Sequence, residues 1–411
     1  MVHHLAEDAG RSTSRLPGSV AEAVTRGRQL RAVIAERGAA IDAAGQDPAE
    51  VMDLVAESGI QALNVPRAFG GLAGDSPLSE LRACMETWIE VAAGDGSVGQ
   101  LWGFGALAAR KILSDTLIPD DIRAQIAHEY LFEGLRLSRL TSERGAARPM
   151  TGRRVAGGIV VSGTKAFGTN TGRGGLAAVP HLLIDDRGDL TGARHHLAYV
   201  RLESVGVRAT HDWNNMGQRA TDSQTLHFDH VFVPDGWHHE DASSEVFYTV
   251  AANVGLAALM HGIGEGAFDA TVSFLRRMDR ASMPMFDSPA ADPVAHRRLG
   301  EMATSLAASR ALVLGLAQRV QEFDPTAGEL AEMILPALQA DLVARHTALD
   351  VSSQLFELTG ARSTAAGNGL DRFWRNVRTM STHHPRDSTN AFIGATLLNG
   401  APPSIADYVN L

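Results

Sequence analysis

A chain of 411 residues, 45% apolar and 20% charged with 41 Gly and 16 Pro, has the make-up of an ordinary globular protein of roughly two or three packed units. Its core needs neither metal nor disulfide to form, and the single cysteine, Cys84, excludes an intrachain disulfide and a Cys-rich zinc module, so a reducing, cytoplasmic location is expected. The formal net charge of -10 at pH 7 argues against nucleic acid as a partner and for small-molecule chemistry. No apolar run approaches the roughly 20 residues of a membrane span, and the N-terminus lacks the basic and apolar regions of a secretory signal. Neither a membrane partner nor export is expected.

Residues 1–17 are polar and unpatterned and read as a flexible tail. From Val20 apolar side chains recur at helical spacing (Val20, Val24, Leu30, Val33, Ile34, Ile41), and Pro48 restarts a helix through Val51, Leu54 and Val55. The stretch GIQALNVPRAFGGLAGD breaks that pattern with Pro66 and four glycines and reads as a loop. Helical spacing returns over 78–109 and again over 120–131. Between about 135 and 237 short β-rich runs (GGIVVSGTKAF, HHLAYVRL, TLHFDHVFV) alternate with Gly-, Asp- and Asn-rich turns, the texture of antiparallel sheet. Long amphipathic helices follow over 250–278, 296–323 and 326–358. The chain thus divides into a tail at 1–17, helical residues 18–133, a β block at 134–240 and a helical block at 241–411. Segregated blocks favour an α+β class over β–α alternation.

The chemistry begins with absences. No GxGxxG follows a strand, and neither GxxxxGK[ST] nor GxSxG occurs, so nucleotide cradling of the Rossmann or P-loop kind lacks support. Histidine pairs stand at His3–His4, His195–His196, His238–His239 and His383–His384, but adjacent side chains point in different directions and no HExxH accompanies them. No metal is expected. In SGTKAFGTNTGRGG a strand ends at Phe167 and opens a loop carrying Thr169, Asn170 and Thr171 among glycines. Such a loop lets amides and hydroxyls approach a flat or anionic ligand, or else caps a hairpin through Asx and Ser/Thr turns. In DWNNMGQRATDSQTLHFDHVFVPDGW, Trp213 can wall a ring and Ser223 can donate a hydrogen bond, although a Trp buried at a sheet corner explains the segment as well. Toward the C-terminus, Arg372 and Arg375 suit a solvated helix face, whereas Arg362 follows a Gly-Ala turn where a phosphate can be met.

Together these segments resemble the acyl-CoA dehydrogenase fold over nearly the whole chain. GIQALNVPRAFGGLAG is similar to the family's Pro-aromatic-Gly-Gly turn, LTSERGA to the start of its flavin-binding β domain, GTKAFGTN to its second flavin loop, and NMGQRATDSQTLHFDHVFVP to its Gly-x-Arg-x-Ser/Thr strand. The resemblance implies an N-terminal helical domain, a central antiparallel β-barrel-like domain and a C-terminal four-helix bundle, assembled as a homotetramer. Dehydrogenases of the family abstract a proton with a Glu in a Tyr-Glu-Gly-Thr segment. Here the corresponding run is Arg375-Asn376-Val377-Arg378, followed by His383-His384-Pro385. That pattern, with the Arg-x-Thr-Asp-Ser strand, resembles the flavin-dependent monooxygenase branch of the dibenzothiophene monooxygenases. The alternative is an acyl-CoA dehydrogenase with a displaced base, Glu265 or Glu357.

The branch implies reduced FMN, or FADH2, supplied by a separate flavin reductase, which accords with the missing nicotinamide fingerprint. O2 and a small organic substrate complete the reaction, with oxygen added at sulfur, nitrogen or an electron-rich ring. By position the resemblance places Ser138, Thr141 and Ser142 along the flavin with Phe167 and Thr169. Trp213 and Ser223 would also contact it, while Arg280 and Arg362 would reach its phosphate from a neighbouring subunit. His383 would be the catalytic residue, donating a hydrogen bond beside the ring and shuttling protons. Gln100, Phe104 and His384 are expected in the substrate pocket. The first two stand where sulfur-oxidising relatives tend to have His and Tyr, and the loop RASMPM lacks the usual Arg-Pro-Trp, so Trp102 and Met285 also enter as shapers of a different pocket.

Overall fold

The computed structural model describes residues 16–401 apart from 144, 147, 186, 187, 191, 192, 241–243, 282, 284, 325 and 327, so most of the expected tail lies outside the described residues. Helix α1 (Val20–Ala35) begins where the Ser19 hydroxyl accepts the Glu22 N–H. After α2 (Gly38–Ala44) and α3 (Ala49–Glu57), the stretch expected as loop instead holds two 3-10 turns, Ile60–Asn64 and Arg67–Phe69. The helix expected over 78–109 is two helices, α4 (Leu81–Gly94) and α5 (Gly96–Ser114). Asp95 between them is extended, and its carboxylate accepts the N–H groups of Ser97 and Val98. An Asp that caps a new helix interrupts the ladder without disturbing the apolar spacing on either side. Helix α6 (Asp120–Phe132) completes the first helical block.

Eight strands follow among the described residues: β1 (Leu137–Arg139), β2 (Thr151–Val155), β3 (Gly158–Gly168), β4 (Leu176–Ile184), β5 (Arg194–Arg201), β6 (Val207–Ala209), β7 (Gln224–Pro234) and β8 (His238–Glu240). Their order is β6-β7-β3-β2-β4-β5-β8, with β1 beside β4. The sheet is mixed, which corrects the expectation of a purely antiparallel one. Both β1 and β2 run parallel to β4, against Leu176–Ala178 and Leu182–Ile184. They lie end to end along one edge of β4, interrupted by the excursion 140–150, and the chain resumes that edge in its original direction. One side of the sheet closes on its own core of Leu140, Ile159, Val161, Val179, Phe228 and Val231. The other side sets Leu176, Ala178, Leu197 and Tyr199 against Ile112 of α5 and Ile126 of α6.

The C-terminal block holds α7 (Ser244–Arg276), α8 (Pro293–Gln321) and α9 (Ile334–Thr359). Two short helices, α10 (Asp371–Met380) and α11 (Arg386–Asn399), take the place of the fourth long helix of the expected bundle, because the chain turns at 381–385 ahead of Pro385. Helix α7 also corrects the membrane reading: it is long and apolar enough to cross a bilayer, yet 78% of its most apolar stretch is buried inside the protein. It packs on α4, α5, α8 and α9, so the helices before and after the strands share one core reaching from Leu30 to Phe392. Trp88 of α4 stands at the centre of that core between Gly103 of α5 and Gly255 of α7. A Cβ at either glycine would enter the indole, so only glycine permits this approach.

At one end of the β core three imidazoles from three strands meet. His181 of β4 pairs across the sheet with His196 of β5, their rings 5.9 Å apart, and His238 of β8 lies 6.5 Å beyond. Burial holds His181 and His196 down at about 4 and pushes His238 in the same direction, with Glu240 and Asp235 opposing and Arg154 and Arg194 assisting. Among the described residues no three ligating side chains are arranged to hold a metal ion. The consequence is one for acid stability. Unfolded histidines titrate near 6.5, so the contribution of these neutral rings is complete above that pH and is lost as the pH falls toward 4. His181 alone is expected to cost about 2 kcal/mol at pH 5 relative to pH 8. Urea unfolding of wild type and His181→Leu at both pH values checks this: the variant should show the smaller difference, and equal differences would contradict it.

Candidate active site

Strands β3 and β7 pair antiparallel, and the chain leaving β3 faces the chain entering β7. Both segments hold backbone conformations that side chains resist. Of seven non-glycine residues with positive φ among the described residues, five are Phe167, Asn170, His211, Gln218 and Asp222. Strain of this kind, roughly 1–3 kcal/mol each, persists only where the surroundings over-determine it, and it clusters at functional sites. Asn170 is held by Nδ2 donating to Leu137 O at 3.0 Å and by Oδ1 accepting from Arg136 Nη1 at 2.9 Å. Gly172 lies flush against Asp222, and Gly217 against the α10 backbone at Arg375. The two loops are therefore packed on each other and on α10.

Between them lies a cleft of about 350 Å³, open to solvent, whose lining includes Phe167, Asp212, Trp213, Ser223 and Thr225. The Phe167 and Trp213 rings meet edge to face at 6.4 Å and 87°, and Phe167 is 56% exposed. Trp213 Nε1 donates to Gln218 O at 2.8 Å, which fixes the indole. Behind the rings stands a polar wall. Gln218 Nε2 donates to Gly96 O at 3.1 Å and to Gln100 Oε1 at 2.8 Å. Gln100 Nε2 in turn donates to Thr169 Oγ1 at 2.9 Å and Ser223 Oγ at 3.4 Å. The Thr169 and Thr221 hydroxyls each lie 2.8 Å from that of Ser223. Asn376 of α10 ties the wall to the last helices by accepting the Gln218 N–H at 2.7 Å. At the rim, burial pushes the Asp212 carboxyl up, but hydrogen bonds from Thr225 and Thr210 outweigh it and hold the group at about 2.

Of the residues expected at a flavin site, Phe167, Thr169, Trp213 and Ser223 come together here. Ser142 O accepts the Ala166 N–H at 2.8 Å, which lays the segment of Thr141 and Ser142 along the end of β3. Thr141 is exposed and Ser142 half-buried, while Ser138 is buried on β1 with no hydrogen-bond partner for its hydroxyl among the described residues. Gln100, expected in the substrate pocket, is buried and commits both ends of its amide to the wall. Phe104 packs edge to face on Trp88 at 5.6 Å. Trp102 is buried, and Met285 is exposed outside the cleft lining. Arg280 and Arg362 are exposed on the C-terminal block and do not line the cleft of their own chain.

His383 and His384 occupy the turn between α10 and α11. His383 is exposed and His384 half-buried, and their rings meet edge to face at 4.5 Å. Neighbouring side chains were expected to diverge, as they do in helices and strands; a turn lets them converge. The turn is carried from below by Arg345 of α9, whose Nη1 donates to Ser381 O at 3.0 Å and His384 O at 2.6 Å, and which pairs with the fully buried Asp341. Neither glutamate proposed as a displaced base suits that task. Glu265 accepts from His261 at 2.9 Å, Arg310 at 2.7 Å and Arg31 at 2.8 Å. Burial works to raise its pKa, but these partners hold it well below the ordinary carboxylate range. Glu357 is exposed, 4.0 Å from Arg298.

Sequence reasoning passed over Gln218, Thr221, Asn376 and Asp212. Gln218 and Thr221 lie in a segment without regular structure, where periodicity says nothing; the available signal was the density of amides and hydroxyls in NNMGQRATDSQ.

A model of the acyl-CoA dehydrogenase C-terminal domain matches residues 254–387. The dibenzothiophene monooxygenase of Rhodococcus erythropolis is 31% identical over 409 residues, spanning 93% of this chain and 94% of that protein. The probable FMNH2-dependent monooxygenase SfnC of Pseudomonas putida is 29% identical, spanning 93% and 96%. Among solved structures, FMN-bound TdsC from Paenibacillus sp. A11-2 superposes with a TM-score of 0.82 at 24% identity, covering 93% of this chain and 98% of its own.

Proposed function

Because the chain belongs to the dibenzothiophene monooxygenase family of the acyl-CoA dehydrogenase fold, we propose that it binds reduced FMN in the cleft beside β3 and β7 and uses it with O2 to oxygenate a small organic molecule. It is a flavin-dependent monooxygenase, an oxidoreductase. One observation carries the placement of the cofactor: a half-exposed aromatic pair, Phe167 with Trp213, stands before a wall of neutral hydroxyls and amides. A flat ring with polar edges needs an apolar face and neutral hydrogen-bonding partners, and the residues present supply both.

When bound, reduced FMN supplies the two electrons with which one atom of O2 leaves as water while the other joins the substrate. The chain's own groups would do the rest. Phe167 and Trp213 would cover the ring, Thr169 and Ser223 would hold its edge, and Ser138, Thr141 and Ser142 would complete the wall. Arg280 and Arg362, exposed and away from their own cleft, would reach the phosphate from a neighbouring subunit of a homotetramer. His383 would move a proton to the oxygen that leaves as water, with Phe104 and His384 flanking the substrate. The substrate class is a soft sulfur or nitrogen, or an electron-rich ring. A separate cytoplasmic reductase would deliver the reduced flavin, as FMN or FAD. The ion pairs that lock Glu265 weigh against the dehydrogenase alternative.

Titration of the purified protein with FMN, FAD and NADH tests this reading. Reduced FMN is expected to bind, and NADH to leave added FMN oxidised. Stoichiometric reduction of FMN by NADH would refute the need for a second component, and its reduction by an acyl-CoA would favour the dehydrogenase.

A further inference from the structure

The proton positions in the polar wall follow from two backbone carbonyls, which can only accept. Gly96 O faces the Gln218 side chain, so the end that meets it is the NH2 group, and the same NH2 donates to the oxygen of Gln100. The Gln100 NH2 must then face Thr169 and Ser223. Gln218 O is the second anchor, and Thr221 Oγ1 donates its only proton there at 2.9 Å. In the 2.8 Å contact between Thr221 and Ser223 the proton therefore comes from Ser223. That leaves Thr169 as the donor in its own 2.8 Å contact with Ser223. All three hydroxyl protons run inward, Thr169 to Ser223 to Thr221 to the carbonyl. Ser223 has both lone pairs occupied, and Thr169, the half-buried end of the chain, keeps one lone pair and no free proton.

We infer that Thr221, fully buried and behind the cleft wall, is a positioning residue that makes Thr169 an obligate acceptor, so that the site selects reduced over oxidised flavin. The inference rests on the flavin reading above. A dihydroflavin ring carries an N–H at N5 where the oxidised ring has a bare acceptor nitrogen. With N5 on the ring edge that Thr169 holds in that reading, the reduced ring donates a hydrogen bond to the acceptor-only hydroxyl, and the oxidised ring confronts it lone pair to lone pair. Turning the Thr169 proton outward would leave one of the two 2.8 Å oxygen contacts without a proton between them, at the cost of one hydrogen bond.

The test compares dissociation constants of oxidised FMN, by fluorescence quenching, with those of dithionite-reduced FMN, by anaerobic titration, on the full-length protein. Thr221→Val keeps the shape and removes the anchor, so Ser223 can donate to Thr169 and Thr169 can donate outward. The preference for reduced FMN is expected to fall about five-fold, the worth of roughly one hydrogen bond, with a matching shift of the bound flavin's midpoint potential. Thr221→Ser restores the hydroxyl and should restore the preference. Ser223→Ala, which cuts the chain one link nearer the cleft, should lower it as well and provides the reading should Thr221→Val not fold. Binding of both flavin forms with an unchanged ratio in these variants overturns the inference alone. Failure of the wild type to bind either form overturns the flavin reading, and this inference with it.

Discussion

Changing His383 to alanine is expected to leave folding and FMN affinity intact while slowing oxygen transfer to the substrate by about 10²–10⁴-fold, the usual range for a lost general acid or base, so that product per O2 consumed falls. The side chain is exposed on a turn, so its removal opens no cavity. Without a proton delivered to the departing oxygen, the two electrons of the reduced flavin reduce O2 to hydrogen peroxide instead, and peroxide should rise as product falls. His384 contributes its carbonyl to the Arg345 clamp, a contact that the His384→Ala side-chain change preserves, and as a group that flanks the substrate without moving the proton it should cost less product than His383→Ala does. Oxygen uptake, peroxide and product measured together decide the matter. A His383→Ala enzyme as well coupled as wild type would make His383 a histidine that merely ends a helix.

The second large effect is placed beneath that turn. Arg345→Met should destabilise the protein by about 3–5 kcal/mol, because it strands the Asp341 carboxylate without its counter-charge. Burial already pushes that carboxyl up to about 6 against the pull of Arg345. The same change deletes the hydrogen bonds to Ser381 O and His384 O, so stability and the histidine turn are lost together. They can be separated. Arg345→Met combined with Asp341→Leu should recover most of the stability, since a buried ion pair is often replaceable by apolar groups. It should still release more peroxide than wild type, because nothing then holds the turn from below. Urea unfolding reads the first quantity and peroxide release the second; full coupling in the double variant would show that the turn holds itself.

What could be read in the sequence was whatever repeats. Apolar spacing of about 3.6 marked α1, α8 and α9, and β-rich runs between turns marked β3, β5 and β7. The break at Asp95 was hidden because apolar spacing continues on both sides of it, and the cap is a matter of one carboxylate and two amides. The mixed sheet was hidden because β1 and β2 share an edge only by virtue of the excursion between them. At the site, Thr169, Trp213 and Ser223 were legible through residue type, and Phe167 through the family resemblance. Gln218 and Thr221 were not, since their role lies in which carbonyl they face. Arg345 with Asp341 looks in sequence like any i, i+4 surface pair; only burial makes it different.

The indole wedged between two glycines has a consequence for synthesis. Trp88 and Gly103 emerge early, whereas Gly255 lies beyond the entire β block. At the usual rate of translation the N-terminal helices wait on the order of ten to thirty seconds for the α7 segment that covers this ring. Throughout that interval the nascent chain presents an open apolar face outside the ribosome, a natural binding site for a holdase chaperone. Low yields on overexpression would trace to this delay in the order of arrival, and slowing initiation, so that fewer half-made chains meet one another, should relieve them more than any change near the cleft.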